Sequence, residues 1–238
     1  MSRSLTLGVL VSAALAAIVV AQTPQERIAA AKDALAKNQA ALRQYAWVET
    51  TTITLKGEVK KQEQKQCYYG ADGKVQKTLI PGKAPAAPPP QQARGRRGGG
   101  AIKGAIVENK VEELTEYMQK AAALVGEYVP PDPARIKAAE SAGNLSVQPG
   151  AGATTLTIKN YLKEGDLLAI GFDPKAMALK TYTANSYVEK PKEDDLALAV
   201  TFAQLTDGTS YPAQIVLDVK AKNVQVKIAN SGYKKAGP

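Results

Sequence analysis

Apolar and polar residues alternate with a period of two over most of the chain, and the period lengthens to three or four in three places. From Tyr45 to Leu55 aromatic and β-branched residues dominate, and Trp47, Ile53 and Leu55 share one parity, which predicts a strand with that side turned inward. Val59 to Tyr69 reads as a second strand. It carries Lys60, Lys61, Gln62, Glu63, Gln64, Lys65 and Gln66, so at least one of its faces is solvated. Asp72-Gly73 predicts a hairpin turn and Val75 to Ile80 the return strand. Six further strands are expected over Thr154–Leu162, Asp166–Phe172, Ala178–Val188, Leu196–Leu205, Tyr211–Val219 and Val224–Ala229, joined by turn residues such as Gly165, Asp173-Pro174 and Asp207-Gly208. In the last three the alternation is cleanest: Leu196, Leu198, Val200 and Phe202 share one parity, Ile215, Leu217 and Val219 another, and Val224, Val226 and Ile228 a third. Thr201, Gln214, Asp218, Gln225 and Lys227 fall opposite, as in an antiparallel sheet covered on one side.

The longer period marks helices. Thr23-Pro24-Gln25-Glu26 is a capping box with proline at the first helical position, and Ile28, Ala31, Leu35 and Leu42 continue one apolar stripe to about Arg43. Val111, Leu114, Met118, Ala121, Ala122 and Val125 predict a second helix over 109–127, with Asn109 as its cap and Glu112 and Glu113 in its first turn. Asp132-Pro133 opens a short third helix through Ala139, which Gly143 can end. The pattern as a whole predicts an α+β fold: a curved antiparallel sheet of about nine strands, an incomplete barrel, covered by the N-terminal helix and the central helices.

The start of the chain adds an address. Arg3, the apolar run Leu5–Val20 and the small pair at Val19 and Ala21 have the form of a cleaved signal peptide over 1–21. An uncleaved anchor is the rival reading, and sixteen apolar residues rich in Ala and Gly fall short of the roughly 20 that span a bilayer. No cysteine follows the cut, so no lipidated N-terminus is expected. Residues 22–238 then form a single periplasmic or secreted domain.

Composition narrows the chemistry. Histidine is absent, which excludes imidazole-based nucleophile activation, imidazole acid–base work and the usual zinc sites. The one cysteine, Cys67, cannot form an internal disulfide and reads as a buried thiol. Glu193-Asp194-Asp195 lacks the spacing of a calcium loop and reads as a solvated turn. No catalytic residue, cofactor or metal is expected. Residues 22–110 hold 16 Lys/Arg against 7 Asp/Glu, and 111–238 hold 14 against 15, so the basic character belongs to the first half. Outside the cytoplasm its natural targets are anionic lipids or wall polymers and not nucleic acid.

Residues 81–104 contain five Pro, six Gly, five basic residues and no acid. That composition predicts a disordered insertion, either merely solubilising or, through the Arg94–Arg97 cluster, a ligand-binding arm.

The order of elements resembles a known group. An exported N-terminal helix, the Trp-bearing strand from Tyr45, central helices, Gly165-Asp166 to Phe172-Asp173-Pro174 and the closing Tyr211-Pro212-Ala213-Gln214-Ile215 are similar to the periplasmic lipoprotein-carrier superfamily of LolA, LolB and RseB type. The resemblance implies a half-barrel plugged by helices around a cavity for lipid or lipoprotein acyl groups. The expected function is therefore non-catalytic binding of a lipid or lipidated protein by a monomer. Trp47, Ile53, Leu55, Leu198, Val200, Phe202, Ile215 and Leu217 form the sheet side of the cavity, and Leu114 and Met118 the helix side. Lys60, Lys61, Lys65, Arg94, Arg96 and Arg97 are the expected contacts to an anionic headgroup or membrane surface. An apolar sheet face packed dry against its helices has the same pattern, so an envelope protein-interaction or stress-sensing module with a filled core stands as the alternative. An enzyme using carboxylates or tyrosines is a third possibility.

Overall fold

The computed structural model describes residues 36–81, 100–150, 152–173, 175–176 and 178–235, with 100–110 described as helical backbone. The signal segment 1–21, most of the helix expected over 23–43 and the stretch 82–99 with Arg94, Arg96 and Arg97 lie outside the described residues. Residues 36–42 are helical and are termed α1.

The remaining elements run β1 (Tyr45–Leu55), β2 (Glu58–Tyr69), β3 (Val75–Leu79), α2 (Gly100–Tyr128), α3 (Pro133–Ser141), β4 (Leu145–Pro149), β5 (Thr154–Lys159), β6 (Leu167–Asp173), β7 (Ala178–Tyr187), β8 (Asp195–Gln204), β9 (Ser210–Val219) and β10 (Val224–Lys235). All ten strands form one antiparallel sheet in the order β3-β2-β1-β10-β9-β8-β7-β6-β5-β4. Two meanders, β1–β3 and β4–β10, are thus joined by pairing the first strand with the last. The sheet is open, with β3 and β4 at its rims.

Three elements differ from the sequence expectation. The tenth strand is β4, whose five residues are too few to display a period and end in proline; it forms by pairing with β5, Leu145 opposite Ile158. Helix α2 starts at Gly100, not at 109, and takes in residues 100–104 of the expected insertion. Once a turn is nucleated each added residue is inexpensive, and a single Gly104 costs only about 1 kcal/mol. Asn109 is therefore interior and not a cap, and Glu112 and Glu113 lie near the middle of the helix. Strand β10 continues past Ala229 to Lys235, because Gly232 (φ 63°) absorbs a register shift opposite Ala46 and Val48.

Helix α3 has the expected start: Asp132 Oδ1 accepts from the Ala134 amide at 2.8 Å, with Pro133 following. Ala121, Leu124 and Tyr128 of α2 and Ala139 of α3 pack in one buried cluster with Ile158, Leu168, Tyr182, Leu196, Leu198 and Val219 of the sheet. Thr201, Gln225 and Lys227 on the opposite face are exposed.

A buried polar knot pins the end of α2 to the sheet. The Asp166 carboxylate, 2% exposed, accepts from the amides of Tyr161, Leu162 and Lys163 at 2.6, 2.9 and 2.8 Å and from the Tyr128 hydroxyl at 2.6 Å. The Tyr182 hydroxyl donates to the Tyr128 carbonyl. Burial, and then the Asp166 hydrogen bond, push the Tyr128 phenol well above its ordinary value, so it remains a donor.

Towards the β1–β3 rim the same sheet face becomes aromatic. Trp47 stacks on Tyr233 at 5.6 Å and tilts against Tyr69 at 5.5 Å, while Tyr211 meets Tyr233 at 4.3 Å. Cys67 lies opposite Trp47 and is fully buried, and beside it Lys77 donates to both Glu49 oxygens at 2.9 and 2.7 Å. Burial, and then the Glu49 charge, raise the Cys67 thiol above its ordinary value. A thiol reagent is expected to leave the native protein unlabelled and to modify one equivalent after denaturation; rapid labelling of native protein contradicts the burial.

Candidate functional site

A groove of about 470 Å³ runs between α2 and the β10–β1 pair. Helical spacing supplies one wall, since Leu114, Thr115, Met118, Gln119 and Ala122 fall on one stripe of α2. The floor comes from two directly opposed pairs, Leu55 with Val224 and Ile53 with Val226. Lys60 completes the lining from β2, where Ile53 faces Lys61 but Thr54 faces Val59, so that Lys60 is the extra residue of a bulge. Seven of the ten lining residues are apolar, and the polar three are Thr115, Gln119 and Lys60.

The groove exists because α2 is held along its other flank. On a helical wheel the buried stripe of Ala121, Leu124 and Tyr128, with Tyr117 within it, separates the groove stripe from Lys120. Lys120 pairs with Glu189 at 2.5 Å, and the Lys222 ammonium lies 4.9 Å above the Tyr117 ring. Burial, reinforced by the Asp194 charge, pushes the Tyr117 phenol up to about 12. On that flank the helix thus meets the β7–β8 loop and the turn before β10, while the groove lies on its β1 side.

No protein-family model, curated protein or solved structure matches the chain.

Of the residues expected to line a cavity, Ile53, Leu55, Leu114 and Met118 surround this groove. Leu198 and Val200 are core residues at 3% and 8% exposure, with α2 packed over them. Ile215 and Leu217 are half-buried against the same core. Trp47 belongs to the aromatic cluster. Phe202 lines a second cavity of about 280 Å³, between α1 and the β8–β9 turn, with Asn38 and Asp207. A third, of about 310 Å³, lies beside Asn185 and Tyr187. Sequence reasoning omitted Val224, Val226 and Ala122 from the site. Val224 and Val226 had the right parity, and only the β1–β10 register brings them to Leu55 and Ile53.

The lysines of β2 are engaged in ion pairs. Lys60 meets Glu58 at 2.5 Å, and Glu63 receives Lys61 at 2.8 Å and Lys65 at 2.6 Å. Those two hydrogen bonds, from Lys61 first, hold the Glu63 carboxyl down at about 2 against an ordinary 4.5. A carboxyl depressed in the folded state contributes stability above its unfolded value and loses it as pH falls through its folded value. The urea midpoint is expected to drop between about pH 4.5 and 2, and to drop less in Glu63→Gln; parallel profiles exclude this source.

Among the described residues no group of carboxylates and cysteine is arranged to hold a metal ion. Nor is any described helix long and apolar enough to cross a membrane.

Proposed function

We propose that the protein is an exported, non-catalytic carrier that shelters a lipid or acylated ligand in the groove between α2 and β1/β10. One observation carries this reading: about 470 Å³ of mostly apolar space beside an otherwise packed core, within the roughly 300–1,000 Å³ of small-molecule sites. Under this proposal the open sheet is an incomplete barrel, plugged by the N-terminal and central helices as in the lipoprotein-carrier superfamily. The protein then works as a monomer in the periplasm or outside the cell. Burial of a ligand chain in the groove yields about 0.8 kcal/mol per methylene removed from water. Native mass spectrometry of gently purified protein is expected to reveal bound lipid, and a fluorescent fatty acid to bind. Protein that is repeatedly free of lipid and does not bind the probe overturns the carrier reading.

The interaction-module reading draws on a different observation. The sheet has two unpaired rims, where Leu79 on β3 and Val147 on β4 are each 57% exposed. Crosslinked envelope partners together with an absence of bound lipid favour it.

A further inference from the structure

We infer that the ligand of the groove is a single-chain amphiphile with an anionic head, its tail over Val224, Val226, Ile53 and Leu55 and its head on Lys60 and Lys61. This inference rests on the groove reading and adds the polarity of the ligand to it. Crossing the floor from β10 through β1 to β2, the lining changes from valine to leucine and isoleucine to lysine. Lys60 lines the groove itself. Lys61 is the direct cross-strand neighbour of Ile53 on the same sheet face, and such neighbours have Cβ atoms roughly 4.5–5.5 Å apart. Glu63 and Lys65 continue that face along β2, opposite Thr51 and Glu49.

Charge complementarity gives the sign of the head. Lys60, Lys61 and Lys65 outnumber Glu58 and Glu63 by one, and Lys77 is matched by Glu49. The opposing helical wall contributes Thr115 and Gln119, which are neutral and can hydrogen-bond to the head. The Lys60 and Lys61 side chains are 49% and 59% exposed, so both ammonium groups can be reached by a ligand carboxylate or phosphate. A cationic head at Lys60 and Lys61 meets two ammonium groups of its own sign.

Palmitate, cetyl alcohol and cetyltrimethylammonium present one straight chain with a negative, a neutral and a positive head. Each is titrated, below its micelle concentration, against Nile red bound to the purified protein. Palmitate is expected to displace the dye at about tenfold lower concentration than cetyl alcohol, with cetyltrimethylammonium the weakest. In Lys60→Gln/Lys61→Gln the palmitate advantage over cetyl alcohol falls to about onefold. Equal displacement by palmitate and alcohol, or a stronger cation, overturns the inference and leaves the groove reading intact; this arm needs no variant. A preference that survives the double substitution, or an equal loss of all three ligands, also overturns it. If Nile red does not bind, or none of the three displaces it, the groove reading itself fails.

Discussion

Asp166→Ala is expected to lower the unfolding free energy by about 3–5 kcal/mol, the largest loss from a single polar substitution in this fold. Its carboxylate is the common acceptor for three successive amides, those of Tyr161, Leu162 and Lys163, and for the Tyr128 hydroxyl. Alanine leaves four donors without their acceptor at a position almost closed to water. The damage extends to the helix end, because the Tyr128 hydroxyl oxygen also accepts from the Ser186 hydroxyl at 2.8 Å and its carbonyl receives Tyr182. Tyr128→Phe removes only the hydroxyl and is expected to cost about 1–3 kcal/mol. Urea unfolding of both variants checks the ordering. An Asp166→Ala midpoint that shifts by less than about 1 kcal/mol shows that the loop does not depend on this carboxylate.

Met118→Asp is expected to weaken fatty-acid binding at least about thirtyfold, since a carboxylate in the groove must be stripped of water or repel the chain. Met118 sits one helical turn from Leu114 and faces the β10–β1 floor. It also touches the core, so part of the effect could come from stability. Ala122→Trp separates the two. Ala122 is exposed and lines the groove, so a large side chain there occupies the space without removing a core contact. Fluorescence titration is expected to show both variants impaired, with thermal unfolding of Ala122→Trp within a few degrees of the unaltered protein. Unchanged affinity in both places the ligand elsewhere.

The strands were readable because their side chains alternate, and β1 and β7–β9 lie within a residue of the expected limits. What could not be read depends on contacts between distant segments. The sheet joins β1 to β10 through a register that no local pattern encodes, and that register decides which valines meet Leu55 and Ile53. Parity distinguishes the inner face of a strand from the outer but not a covered inner position from an uncovered one. Leu198 and Ile53 therefore looked alike, although α2 packs over the first and stands away from the second. The Asp166 knot was hidden for a related reason. In sequence Asp166 only opens a strand; its role appears once residues 161–163 turn their amides back towards it.

The pairing of β1 with β10 also sets a schedule for biogenesis. Tyr45 finds Lys235 only when synthesis has passed β10, so the opening hairpins wait for that strand. Until then a nascent copy presents β1 with one side unmatched, a vulnerable interval in which a chaperone or a sister chain can take the vacant place. Loss of the twelve residues of β10 would make that interval permanent.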